Sequence, residues 1–161
     1  LEKPFQELCT GRCSAGDFWR HANSALSTHV DEDLWETLYA AEVDPGMATF
    51  LAELRDAGHR VVAGTNTMAS HYAYHEARGD LALFDRVYAS HLMGCVKPDP
   101  AFLRHILAEE GARGSDTLFV DDMPENVHAA REIGICGVQF TGLAALRQTI
   151  AARIDGGSCL E

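Results

Sequence analysis

Three short apolar stretches of the chain are each followed by polar side chains that could act on a phosphate ester, namely Thr65-Asn66, Lys97 and Asp121-Asp122. Adjacent carboxylates behind an apolar stretch repel each other unless a cation neutralises them. Mg²⁺ typically takes one or two protein carboxylates and completes its shell with water and phosphate oxygens. A threonine hydroxyl and an asparagine can donate to phosphoryl oxygens, and a lysine can neutralise a transferring phosphoryl group. These residue types predict a site for magnesium and phosphate.

Each of these groups also has a purely structural interpretation. A threonine such as Thr65 before a helix can cap that helix, and Lys97 can be a solvated surface lysine. Asp122 can cap the helix that Pro124 opens. Taken singly, these interpretations are at least as good as the functional ones. Taken together, at corresponding strand ends and in this order, the groups favour the functional interpretation.

From residue 43 onward, strand patterns alternate with helix patterns. Strands are predicted at 59–64, 86–90, 116–120 and 137–140, and helices at 47–57, 68–79, 100–110, 124–133 and 143–153. Such alternation predicts an α/β fold with a doubly wound parallel sheet. Because ligands bind at the carboxyl ends of the strands in these sheets, we expect the hydroxyl, the ammonium and the carboxylates to converge at one edge.

Residues 1–42 show helix patterns and no strand pattern. Ser14 is a predicted N-cap for a helix that runs to Leu26, and 31–41 has apolar residues at helical spacing. We therefore predict a helical segment over 1–42 and an α/β core over 43–161. Trp19 and Trp35 are expected to pack within the helical segment.

Three stretches resemble motifs of the haloacid dehalogenase-like (HAD) hydrolases. They are Val61-Val62-Ala63-Gly64-Thr65-Asn66-Thr67, Gly94-Cys95-Val96-Lys97-Pro98-Asp99-Pro100 and Phe119-Val120-Asp121-Asp122-Met123-Pro124-Glu125-Asn126. The resemblance implies a Rossmann-type fold, phosphate binding by Thr65, Asn66 and Lys97, a catalytic role for Lys97, and Mg²⁺ on Asp121 and Asp122. It also implies that 1–42 is the small helical cap found in subfamily I.

The first motif of that family has no counterpart in residues 1–42. Family members carry Asp-x-Asp on a central strand, and its first aspartate attacks phosphorus to form an intermediate that water hydrolyses. Asp31-Glu32-Asp33 has the spacing but lacks the apolar strand. We interpret it as the acidic first turn of a helix, where negative charge is favourable.

A parallel sheet without its central strand would leave backbone groups unpaired, each at a cost of about 1–3 kcal/mol. We expect one of three remedies: a segment upstream of Leu1 supplies the strand, a partner chain fills the gap in a homo-oligomer, or the sheet is rearranged. The first is favoured. The leading hypothesis is then a magnesium-dependent phosphatase of a small phosphorylated molecule whose nucleophile lies outside 1–161, so that this chain alone is inactive. The alternatives are a catalytically dead HAD-like module for binding or assembly and a metal-free interaction domain.

Composition restricts the partners. The formal net charge of −11 disfavours nucleic acid and anionic membranes as partners. No signal-peptide pattern opens the sequence and no apolar run approaches the ~18 residues of a membrane span, so a cytoplasmic location is expected. His71 and His75, one helical turn apart, are predicted to be solvated rather than ligands.

Overall fold

The computed structural model describes residues 1–154 and divides into two compact units, Leu1–Val96 and Lys97–Glu161. Residues 155–161 of the predicted core domain lie outside the described residues. The predicted domain boundary after residue 42 stays a prediction. Both units consist of short parallel strands and helices, which confirms the α/β class.

The first unit contains six helices and two strands. In chain order they are α1 (Glu2–Cys9), α2 (Ala15–Leu26), α3 (Leu34–Thr37), α4 (Pro45–Asp56), β1 (Val62–Thr65), α5 (Ala69–Arg78), β2 (Arg86–Ala89) and α6 (Ser90–Met93), with a 3₁₀ turn over Asp80–Leu83. Strands β1 and β2 pair in parallel, from Val62 opposite Arg86 to Thr65 opposite Ala89. Thr65 is therefore the last residue of β1, one residue beyond the predicted end of this strand.

Local capping explains where these helices begin. Ser14 Oγ accepts from the Asp17 amide at 3.1 Å, and Asp17 Oδ2 accepts from the Ser14 amide at 3.0 Å, which forms a capping box at the start of α2. Asp44 caps α4, which begins with Pro45. Asp33 caps α3 and also accepts from Trp19 Nε1 at 3.0 Å. The acidic triplet 31–33 thus starts a helix, in agreement with the structural interpretation.

The helix expected over 31–41 is shorter than predicted. It covers only Leu34–Thr37, and Leu38 is 74% exposed. The chain leaves the helix because Tyr39 stacks on His71 and its hydroxyl lies 2.8 Å from His75 Nε2. These tertiary contacts override the local preference of residues 38–41 to continue the helix, which the spacing of the apolar residues had indicated.

A buried apolar cluster holds the N-terminal helices of the first unit together. Its members are Leu8, Cys9, Phe18, Ala22 and Met68, with Cys13, Ala15, Trp19, Trp35 and Val96 packed against them. Met68 precedes α5 directly, so the cluster connects α1 and α2 to the loop that follows β1.

The second unit contains α7 (Pro100–Glu110), β3 (Leu118–Asp121), α8 (Pro124–Glu132), β4 (Cys136–Gln139) and α9 (Leu143–Ile154), with a 3₁₀ turn over Gly114–Asp116. Strands β3 and β4 pair in parallel, with Asp121 opposite Gln139. Helix α8 packs closely on β4, since a Cβ on Gly137 would lie 2.7 Å from the Val127 carbonyl oxygen. Among residues 1–154, hydrogen bonds join β1 to β2 and β3 to β4 as two separate two-stranded sheets.

Candidate active site

The carboxyl end of β3 carries a buried ion pair. Asp121 is the last residue of the strand and is 8% exposed. Its Oδ2 atom accepts from Lys97 Nζ at 2.7 Å, and the Lys97 side chain is only 12% exposed. The ammonium also lies 5.7 Å from the centre of the Phe119 ring, within cation–π range. Lys97 is therefore an enclosed cation and not a solvated surface lysine.

The second oxygen of Asp121 is held from the start of α8. Oδ1 accepts from the Met123 amide at 2.9 Å and from Asn126 Nδ2 at 2.9 Å. Burial raises the pKa of Asp121, but the hydrogen bonds from Lys97, Asn126 and the Met123 amide outweigh it and leave the pKa below its ordinary value. Asp121 is therefore a fixed carboxylate anion.

Asp122 differs from Asp121 in burial and in hydrogen bonding. Its side chain is exposed, while its backbone carbonyl accepts from Gln139 Nε2 at 3.1 Å. The N-cap of α8 is Met123, without a side-chain cap, so Asp122 does not cap that helix. Its carboxylate is open to solvent at the edge where β3 ends, and it can accept a cation there.

The polar residues at and after the carboxyl end of β1 lie in the first unit. Thr65 ends the strand half-buried, and Asn66 follows with an exposed side chain. The N-cap of α5 is Met68, and no side chain caps that helix. Thr65 is therefore not a helix cap. The next amide, that of Thr67, donates to Ser90 Oγ at 2.9 Å.

The structure brings Lys97 into contact with Asp121, with Asp122 next to it in the chain. Thr65 and Asn66 belong to the other unit, and their approach to Lys97 stays a prediction. In residues 1–154, no set of three or more His, Cys, Asp or Glu side chains is arranged to hold a metal ion. Mg²⁺ needs fewer protein ligands than that, because it keeps water in its shell.

The sequence analysis missed two residues that organise these strand ends. Asn126 is the third residue of α8, and its side-chain amide donates to Asp121. The spacing of a carboxylate and an amide five residues apart, across a helix start, was the available signal. Ser90 is fully buried directly behind β2, and a polar residue after an apolar strand was its only signal.

The first unit also contains an aromatic cluster, which we define as Phe5, Phe18, Trp19, Trp35, Tyr39 and His71. Adjacent rings lie between 3.7 Å, for Tyr39 stacked on His71, and 6.4 Å, for Phe5 edge-on to Phe18. Phe5 is 40% exposed. Burial lowers the pKa of His71 and favours its neutral ring, although a backbone hydrogen bond with Trp35 partly opposes this. Solvent therefore reaches this cluster mainly at Phe5, whereas Phe18 is buried.

His75 takes part in a chain of three side chains. Its Nδ1 lies 2.8 Å from Asp80 Oδ2 and its Nε2 lies 2.8 Å from the Tyr39 hydroxyl. The hydrogen bond with His75 is the largest contribution that lowers the pKa of Asp80, and Arg78 adds to it. The prediction that His71 and His75 are solvated is wrong, because residue 39 folds back onto both rings.

Comparison with known proteins agrees with this architecture. A family model described as "haloacid dehalogenase-like hydrolase" matches residues 13–134. The sesquiterpene phosphatase of Aspergillus oryzae is 37% identical over 154 residues, which cover 91% of this chain and 79% of that relative.

Solved structures show the same fold. A HAD-like family hydrolase from Porphyromonas gingivalis superposes with a TM-score of 0.80 at 23% identity, over 91% of this chain and 78% of that one. A HAD family enzyme from Bacteroides thetaiotaomicron, in complex with magnesium and inorganic phosphate, gives a TM-score of 0.72 at 20% identity, over 88% and 75%. Together with the matched family model, these similarities establish that the chain belongs to the haloacid dehalogenase-like hydrolases.

Proposed function

We propose that this chain forms part of a magnesium-dependent phosphatase that acts on a phosphorylated small molecule. The observation that carries the proposal is the enclosed arrangement of Lys97, Asp121 and Asn126 at the end of β3. The Lys97 ammonium is buried and already fixed in position by the Asp121 carboxylate. It can therefore neutralise charge on a phosphoryl group without a rearrangement of the lysine side chain. The relative named as a sesquiterpene phosphatase supports the reaction class.

The two aspartates have different tasks in this proposal. Asp121 has hydrogen-bond donors on both oxygens, so its main task is to fix the Lys97 ammonium. Asp122 keeps an exposed carboxylate, and it is the first protein ligand for Mg²⁺. The bound ion would neutralise charge on phosphate oxygens. Thr65 and Asn66 stay the predicted phosphate donors of the first unit.

In this proposal the nucleophile lies outside residues 1–161. We propose that an aspartate on a strand upstream of Leu1 provides it, so that 1–161 alone can bind ligands but cannot hydrolyse them. The alternative is a catalytically dead HAD-like module that keeps the magnesium- and phosphate-binding residues for binding or assembly. A cytoplasmic location, and the absence of nucleic-acid and membrane partners, stay predictions. No helix within residues 1–154 is both long and apolar enough for a membrane crossing.

The leaving group is proposed to be apolar, such as an isoprenyl chain. Two facts support this class: the aromatic cluster keeps solvent-exposed ring surface, and the relative from Aspergillus oryzae is named for a sesquiterpene substrate. An apolar chain gains about 25 cal/mol per Å² of its surface removed from water. A polar sugar phosphate would gain far less from the same rings.

Activity tests the proposal directly. Residues 1–161 and a polypeptide extended through the coding sequence upstream of Leu1 are assayed for phosphate release from farnesyl monophosphate and glycerol phosphate, with and without Mg²⁺. We expect release only from the extended polypeptide, only with Mg²⁺, and faster from the farnesyl ester. Lys97→Met should abolish it. Binding of Mg²⁺ and phosphate without any release would instead favour the dead module.

A second measurement separates metal binding from turnover. Mg²⁺ should raise the melting temperature of residues 1–161, since a ligand at a hundred times its Kd adds about 2.7 kcal/mol. Asp122→Asn should remove this increase. Glu125→Gln, which neutralises another exposed acid nearby, should keep it. An equal increase in all three proteins would contradict the assignment of Asp122.

For the leaving group, Phe5→Ala should reduce the preference for the farnesyl ester over glycerol phosphate. Leu38→Ala removes a comparably exposed apolar side chain that lies outside the aromatic cluster, and it should leave the preference unchanged. A preference that survives Phe5→Ala would place the apolar chain elsewhere.

A further inference from the structure

The Ser90 hydroxyl is a junction of three backbone segments. Ser90 has 0% exposure and begins α6 directly behind β2. Its Oγ accepts from the Thr67 amide at 2.9 Å, and it lies 2.7 Å from the Cys9 carbonyl oxygen and 3.0 Å from the Thr67 carbonyl oxygen. A hydroxyl has one proton, so the two carbonyls compete for a single donor.

One of these segments is the loop behind β1. Thr67 directly follows Thr65-Asn66, the predicted phosphate donors, and no side chain caps α5 behind them. The hydrogen bond from the Thr67 amide to Ser90 therefore fixes this loop from outside its own sequence. The backbone around residue 66 is held at the point where β1 ends.

The other segment is the carboxyl end of α1. Cys9 is the last residue of that helix, and its carbonyl is one of those that no intrahelical bond satisfies. Two residues later, Gly11 has φ +67, and a Cβ there would lie 2.1 Å from the His91 carbonyl oxygen. The end of α1 is thus seated on the start of α6 at both Ser90 and His91.

We propose that Ser90 is a positioning residue for the phosphate-binding loop and that it couples the loop to the end of α1. When the proton points to Cys9, α1 is held and the Thr67 carbonyl is released. When it points to Thr67, both the amide and the carbonyl of Thr67 are bonded to Ser90, and the Cys9 carbonyl at the end of α1 loses this donor. The proposed effect on phosphate rests on the function proposed above, whereas the ordering of the loop does not.

Amide hydrogen exchange tests the ordering. In Ser90→Ala, exchange of the Thr67 amide should accelerate about tenfold, the factor that corresponds to loss of one typical hydrogen bond. Thr10→Val removes another buried hydroxyl, which donates to the Gln6 and Glu7 carbonyls of α1 and accepts from Arg12 Nε, and it should leave Thr67 unchanged. Equal exchange of Thr67 in wild type and Ser90→Ala would overturn the proposal. Ser90→Cys, which keeps a weak donor and acceptor, should give an intermediate rate.

Inorganic phosphate provides the functional readout on the extended polypeptide. Both variants are expected to lower the melting temperature by similar amounts. Ser90→Ala should in addition weaken phosphate binding about tenfold, whereas Thr10→Val should leave phosphate binding unchanged. Equal weakening in both variants would show a purely structural role and overturn the positioning role. If the wild type binds no phosphate, the function proposed above fails, while the exchange of Thr67 still decides whether Ser90 orders the loop.

Discussion

Lys97 Nζ and Asp121 Oδ2 lie 2.7 Å apart, with 12% and 6% of their side chains exposed. Two opposite charges withdrawn from water in this way depend on each other, because removing either one leaves the other buried and unpaired. The pair therefore couples the chemistry of the site to the stability of the second unit.

Neutralising Asp121 should destabilise the protein in a pH-dependent way. We expect Asp121→Asn to lower the free energy of unfolding at pH 7 by about 3 kcal/mol, near the lower end measured when one partner of a buried pair is removed. The folded-state pKa of Asp121 lies below its ordinary value of 3.8. Its contribution is therefore present above that value and is lost as the pH falls through the folded-state pKa. Urea unfolding at neutral and acidic pH measures both effects.

The difference in the free energy of unfolding between wild type and Asp121→Asn should thus become smaller as the pH falls. Asp122→Asn is the matched control, because that side chain is exposed and surface changes usually alter stability by about 0.5 kcal/mol or less. A gap between wild type and Asp121→Asn that stays constant from neutral pH to below 3.8 would contradict the assignment.

Asn126→Leu tests the other side of the same carboxylate. The change keeps a similar volume but removes the donor to Asp121 Oδ1. It should cost about 1–3 kcal/mol, the penalty for a buried group that loses its partner. Chemical denaturation measures this cost, and His128→Ala on the same helix, an exposed position, serves as the control. No loss in Asn126→Leu would mean that the Met123 amide and Lys97 suffice for Asp121.

Tyr39→Phe separates the hydroxyl of Tyr39 from its ring. The variant keeps the stacking on His71 but loses the hydrogen bond to His75, and it should be less stable by about 1 kcal/mol. Tyr74→Phe removes the hydroxyl from the ring that packs edge-on against Tyr39. It should lower the stability by less than Tyr39→Phe does. If both variants lose equally, the hydroxyl of Tyr39 has no special contribution.

A methyl group at Gly137 should disturb the contact between β4 and α8. Because the added Cβ would lie 2.7 Å from the Val127 carbonyl oxygen, Gly137→Ala should cost about 1–3 kcal/mol, as overpacked sites do. Gly16 lies within α2, and only Ser14 Oγ, at 3.8 Å, would meet its added methyl group. Gly16→Ala should raise stability by about 0.5–1 kcal/mol. Thermal unfolding of both variants distinguishes the two effects by sign.

The order of the elements could be predicted from sequence because strand and helix periodicities differ and local caps mark their starts. Ser14 caps α2 and a helix begins at Pro100, both as expected. The contact of Lys97 with Asp121 agrees with the expectation that the ammonium and the carboxylate lie close together.

What could not be predicted depends on contacts between residues that are distant in sequence. The helix over 31–41 ends early because Tyr39 binds rings on α5, and periodicity carries no information about such a contact. Ser90 stands 81 residues after Cys9, yet one hydroxyl joins them. The different environments of Asp121 and Asp122 arise at the end of β3, where Asp121 contacts Lys97 and Asn126 while Asp122 is exposed.

Both tryptophans and all four tyrosines lie in Leu1–Val96, whereas Lys97–Glu161 contains neither residue type. Fluorescence excited at about 295 nm, which selects tryptophan, therefore reports on the first unit alone, and it includes the Trp19–Trp35 ring pair, whose centres lie 5.7 Å apart. The second unit contributes no tryptophan emission. Unfolding followed by emission and by far-ultraviolet circular dichroism will coincide only if the two units melt as one cooperative system.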